Sequence, residues 1–122
     1  MKKVEAVIRP DRLQSVQDAL DGLGASGLTV TEVLGCGAQR GYTETYRGAK
    51  VNISLQRKVK VEAVVGDSMV EAVIDAISGA ARTGEVGDGK IFVIPVEDAV
   101  RIRTGERGDG IVRHLVPEHW GH

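Results

Sequence analysis

The sequence predicts an α+β fold, a split βαβ–βαβ sandwich with one long loop between its halves. Three observations lead there. KVEAVI (residues 3–8) returns as KVEAVV (residues 60–65) about 57 residues later, close to half of the 122-residue chain. Both copies alternate apolar and polar residues. Each copy then runs into a helical pattern that leads to a further strand.

In the first half, Val4, Ala6 and Ile8 face one way and Lys3 and Glu5 the other, the period of a half-buried strand. Pro10 is a good helix-opening residue. Leu13, Val16, Leu20 and Leu23 then fall on one helical face, and Gly24 stands where the helix can end. LTVTEVLG (residues 28–35) is the next strand. In the second half, Val61, Ala63 and Val65 oppose Lys60 and Glu62. SMVE (residues 68–71) has the spacing of a capping box, and Val70, Val73, Ile74 and Ile77 form the stripe behind it. KIFVIPV (residues 90–96) is a strand, nearly continuous in apolar residues, and VRIR (residues 100–103) reads as a short extended piece. That order is the ferredoxin-like one. The helices cover one sheet face. The polar face, with Lys3, Glu5, Lys60 and Glu62, must meet water or another subunit.

Aromatic residues make up 3% of the chain, so the core is built from Val, Ile, Leu and Ala, and a core that small favours oligomerisation. The net charge of −1 implies no general affinity for nucleic acid or anionic membrane. The single cysteine, Cys36, excludes an internal disulfide, fits a reducing cytoplasm and reads as a small packed residue. No apolar run approaches membrane length, and no signal-peptide pattern opens the sequence. We read one domain over residues 1–108 and a flexible, Gly- and charge-rich extension over residues 109–122.

Residues 37–55 are too long for an ordinary connection, and loops of that length in compact domains are commonly functional. The segment bends at Gly37, Gly41 and Gly48, and VNISL at its exit extends the following strand. The densest chemical signal is TGEVGDGK (residues 83–90). Its GxxxxGK is not a P-loop: the order is helix, loop, strand, and Ile91 follows the lysine where a P-loop has Ser or Thr. Gly87 and Gly89 still let backbone amides approach an anion, with Lys90 as a point charge; a plain glycine-rich turn is the competing reading. Arg101 and Arg103, two apart on an extended segment, point the same way and suit phosphate oxygens; a solvated pair beside Glu97 or Glu106 is the alternative. G-x-G at Gly35 and Gly37 fails the Rossmann spacing, and Gln39 beside it can ligate a metal through its amide oxygen. His114, His119 and His122 with Glu118 match no trusted metal motif. No catalytic set stands out, so an enzyme is not expected.

TVTEVLGCGAQRG, TETYRG, KVKVEAVV, AARTGEVGDGKIFV and RIRTGER together resemble the PII signal-transduction proteins, over nearly all of residues 1–108. The resemblance implies a homotrimer of ferredoxin-like subunits that binds ATP or ADP between subunits, and 2-oxoglutarate with Mg2+ and ATP. The long loop, called the T-loop, docks on target proteins. By position, the phosphates meet Gly87, Asp88, Gly89 and Lys90 of one subunit and Arg101 and Arg103 of another. The base and ribose meet Gly27, Thr29, Glu62 and Val64, with Gly35 and Gly37 lining the cleft. Mg2+ and 2-oxoglutarate fall on Gln39, with Arg40, Gly41 and Lys58 completing the 2-oxoglutarate site. Tyr46, Arg47 and Gly48 form the docking tip, which in relatives that block ammonium transporters plugs the channel from the cytoplasm. Departures are Cys36 for an aromatic residue, Ala38 for an arginine, Ala49 for a phosphorylated serine and Val51 for a uridylylated tyrosine. These imply control by small ligands alone. The resemblance makes an ammonium transporter or a nitrogen-metabolism enzyme the target, and the altered flanks of the tip leave another transporter or a carbon-uptake system as the alternative. The rivals from outside the family are a small enzyme using the glycine-rich turn for phosphate and a metal-responsive module using the histidine tail.

Overall fold

The computed structural model describes residues 1–25, 27–36, 44–46, 49–51 and 55–111. Six strands and two helices follow in the order β1 (Lys2–Ile8), α1 (Leu13–Gly22), β2 (Thr29–Cys36), β3 (Glu44–Tyr46), β4 (Ala49–Val51), β5 (Leu55–Val65), α2 (Val70–Ala81) and β6 (Lys90–Pro95). Four of the strands form one antiparallel sheet in the order β2-β5-β1-β6. The repeated segments are thus central neighbours, with Val4 opposite Ala63 and Ala6 opposite Val61.

Strand alternation sorts the sheet into two faces. Val4, Ala6, Ile8, Val59, Val61, Ala63 and Val65 are buried beneath the helices. Val16 and Leu20 of α1 and Val73, Ile77 and Ala81 of α2 close over them, with Leu13, Leu23, Val70 and Ile74 partly buried at the margin. The opposite, open face carries Lys3, Glu5, Lys60 and Glu62, as the pattern predicts. Lys3 Nζ lies 2.9 Å from one Glu62 oxygen and Lys60 Nζ 4.0 Å from the other.

Local chemistry sets the helix ends. A 3-10 turn over Pro10–Arg12 leads into α1. Gly24, at φ 75°, ends the helix: its N–H bonds to Asp21 O at 2.9 Å, and Ala25 N–H reaches back to Leu20 O at 3.0 Å. That is a Schellman motif, and Ala25 and Leu20 are both buried beside it. The start of α2 differs from the predicted capping box. A 3-10 turn over Asp67–Met69 precedes it, with Gly66 at its N-cap and no side-chain cap. Met69 N–H instead bonds to Gly66 O. Val70 N–H, one of the two donors Ser68 was expected to cap, bonds to Asp67 O.

Two further expectations change. VRIR is not an extended pair-bearing segment. Val100 makes one bridge with Arg107, and Gly105 N–H closes onto Arg101 O at 2.7 Å, so the chain turns at once. Inside the long loop, β3 and β4 form a short ribbon in which Tyr46 pairs with Ala49. At the loop exit β5 begins at Leu55; residues 52–54 of VNISL lie outside the described residues.

Candidate functional site

The open face collects six of the residues singled out in the sequence. In the β2–β5 register Thr29 lies opposite Glu62, and Gly35 opposite Gln56. Paired residues share a face, and alternate residues return to it. Thr29, Gly35, Lys58, Glu62 and Val64 are therefore on the open face, with Lys90, which pairs with Val7. Glu62 is held below the usual carboxylate range, chiefly by its hydrogen bond from Lys3.

At one end of this face sits the glycine-rich turn, residues 83–89. Its shape is set by Asp88. One carboxylate oxygen accepts from the backbone N–H of Thr83 at 2.8 Å and of Gly84 at 2.9 Å. The other accepts from Thr83 Oγ1 and from Arg9 Nε, the latter at 3.0 Å. Thr83 Oγ1 also accepts from Glu85 N–H at 3.1 Å. Hydrogen bonds to the charged form, the one from the Thr83 hydroxyl foremost, hold Asp88 far below the ordinary carboxylate range. With that many donors on it, the Asp88 side chain organises the turn and is not aimed at a phosphate.

The two glycines of GDGK have separate duties. Gly89 has φ 101°, and a Cβ there would fall 1.7 Å from Val7 O. It is glycine so that the turn can press onto β1. A Cβ on Gly87, at φ 99°, would stand 3.4 Å from Arg9 Nη2 and 3.5 Å from Lys58 Nζ. Lys58 Nζ donates to Gly87 O, and Arg9 Nη2 donates to Val86 O at 2.7 Å. Burial lowers the Lys58 pKa, and the neighbouring Arg9 lowers it further against the pull of Asp88.

Arg101 and Arg103 are not gathered with Lys90 within the chain. Val96 N–H bonds to Met1 O, so the segment after β6 leaves from the Met1 end of the sheet. Arg101 lies 3.6 Å from Glu106, one of the two acidic neighbours weighed in the sequence, and its Nη2 donates to Ile111 O. Lys90 stands at the other end of β6, a strand about 17 Å long at the usual rise. Gly27 stands in the connection before β2, at φ 86° with open space around it. Gly37, Gln39, Arg40, Gly41, Arg47, Gly48 and the tail histidines lie outside the described residues, and Tyr46 enters through its backbone in β3. Among the described residues no cluster of metal-ligating side chains is found.

A groove of 360 Å³ lies on the other side of the sheet, between α2 and strands β1 and β6, against Ile74, Ile77, Ala81 and Ile91. It meets the turn at Asp88 and Gly89 but none of Thr29, Lys58, Glu62 or Val64 lines it. The open face, where those residues share one surface, is the better candidate. β6 is an edge strand with apolar side chains uncovered on both faces: Phe92 is 48%, Val93 42% and Ile94 36% exposed. No helix among the described residues is long and apolar enough to cross a membrane.

Sequence reasoning missed Arg9 as a site residue and gave Thr83 no role. Thr83 was legible as the first residue of the motif; Arg9 is 79 residues from Asp88 and belongs to no motif.

The family model described as "Nitrogen regulatory protein P-II" matches residues 1–106. The chain is 54% identical to the nitrogen regulatory protein P-II of Cereibacter sphaeroides over 112 residues, 92% of this chain and 100% of that protein. It is 56% identical to that of Azospirillum brasilense over 108 residues, covering 88% and 96%. It is 57% identical to that of Microchaete diplosiphon over 107 residues, again 88% and 96%.

Proposed function

The chain belongs to the nitrogen regulatory protein P-II family, whose members are named as regulators rather than enzymes, and from that premise we propose that it is an ATP- and ADP-sensing homotrimer. One observation carries the reading. The open face brings Gly35 and Lys58, at the root of the long loop, to the same end of the sheet as the turn over residues 87–90. A ligand bound by the turn is thereby in direct reach of the loop.

The phosphates rest on the backbone amides of Gly87, Asp88 and Gly89 and on Lys90. The ribose and base rest on Thr29, Glu62 and Val64, with Gly27, Gly35 and Gly37 lining the cleft. Arg101 and Arg103 join from a neighbouring subunit, since the length of β6 separates them from Lys90 within one chain. The uncovered apolar edge of β6 supports such assembly. Gln39, Arg40, Gly41 and Lys58 hold 2-oxoglutarate, with Gln39 on Mg2+. ATP and ADP favour different loop shapes by the difference in their affinities for each, about 1.4 kcal/mol per tenfold. The tip at Tyr46, Arg47 and Gly48 then meets or releases a target protein at the membrane, of which an ammonium transporter is the first candidate and a carbon-uptake transporter the second.

Calorimetry with ATP and ADP, with and without Mg2+ and 2-oxoglutarate, tests the proposal. Micromolar binding of both nucleotides is expected. Failure of both below millimolar concentration would refute it. Pull-down in each nucleotide separates the targets, because a true one responds to ATP against ADP.

A further inference from the structure

Two cations converge on the glycine-rich turn from outside it. Arg9, at the end of β1, donates Nη2 to Val86 O at 2.7 Å and Nε to Asp88 at 3.0 Å. Lys58, from β5, donates to Gly87 O. Two successive carbonyls, those of residues 86 and 87, are thus turned toward the same pair of side chains. Gly87 leaves the room: a Cβ there would meet both cations at 3.4 and 3.5 Å.

The peptide unit is planar and trans, so its N–H points opposite to its C=O. With Val86 O on Arg9, the N–H of Gly87 points the other way. With Gly87 O on Lys58, so does the N–H of Asp88. The amides of Thr83, Gly84 and Glu85 are already taken by Asp88 and Thr83 Oγ1. Residues 86 and 87 form a hydrogen-bonded turn that closes on the Asp88 amide, while the amides of Gly87 and Gly89 have no acceptor among the described residues. The carbonyls of Val86 and Gly87 are fixed on one side, and the free Gly87 amide is presented on the other.

We propose that Arg9 is a positioning residue for phosphate binding: it touches no phosphate, but through Val86 O and Asp88 it shapes the turn and holds the Gly87 amide facing away from itself, ready for a polyphosphate. The inference rests on the nucleotide reading above. Lys58 supports the same arrangement through Gly87 O.

The test uses the full chain with Arg9→Met, which keeps the stem and removes the donors, and Arg9→Lys, which keeps one charge. Without ligand, amide hydrogen exchange at Thr83 and Gly84 accelerates at least about tenfold in Arg9→Met and less in Arg9→Lys, while the amides paired between β1 and β5 stay unchanged. ATP affinity by calorimetry falls about tenfold in Arg9→Met and recovers in part in Arg9→Lys. Unchanged exchange at the turn, or unchanged ATP affinity, overturns the proposal. So does acceleration spread evenly over the sheet, which would mark Arg9 as a general stability residue. If the parent chain binds neither nucleotide, the functional reading fails and takes the phosphate role of Arg9 with it; the exchange arm still decides whether Arg9 holds the turn.

Discussion

Gly89→Ala probes the closest approach in the site. At φ 101° an L residue is strained, and the added methyl would sit 1.7 Å from Val7 O, a backbone atom of the central strand. The left-handed conformation costs about 1–2 kcal/mol, and forcing atoms into a packed contact costs a further ~1–3 kcal/mol or more. The sum is about 2–5 kcal/mol, or roughly 8–20 °C in Tm for a chain of this size. Two neighbouring substitutions serve as internal standards. Gly84→Ala shares the positive φ (88°) but meets nothing within 4 Å, so it costs the conformational part alone, about 1–2 kcal/mol. Gly79→Ala lies on the exposed side of α2 with open space around it and stabilises by about 0.5–1 kcal/mol. Urea titrations at one fixed protein concentration measure all three. If Gly89→Ala is no worse than Gly84→Ala, the contact with Val7 does not explain the glycine and the reasoning is wrong.

Three further outcomes are expected. Leu20→Ala, at a fully buried site that also closes the α1 C-terminus, destabilises by about 2–5 kcal/mol in the same titrations. Asp88 has a depressed folded pKa, so its stabilisation is complete above the unfolded value near pH ~4 and fades as pH falls below it; in Asp88→Asn the acid limb of the stability profile flattens, and identical limbs in the two proteins would refute the assignment. Glu32 and Arg57 pair at 3.5 Å with side chains 81% and 78% exposed, so Glu32→Gln leaves the urea midpoint unchanged.

What the sequence disclosed follows from the range of each interaction. The repeated strands were legible because alternation needs only near neighbours and one buried face. The end of α1 was legible because a Schellman motif is local to Leu20, Gly24 and Ala25. The capping box failed because a 3-10 turn from Gly66 competes for the same backbone groups. The extended reading of VRIR failed because the closure from Gly105 to Arg101 turns the chain at once. At the site, Lys90, Gly87 and Gly89 announced themselves by spacing. Arg9 did not, since its partners stand 77 and 79 residues away and only the fold introduces them.

The edge strand β6 has one more consequence. Phe92, Val93 and Ile94 are uncovered in the single chain, and the homotrimer proposed above would cover them. In that assembly folding and association would be linked, and apparent stability would climb with the amount of protein present. Abundance itself would then become an input: below some copy number the cell would hold chains but few assemblies.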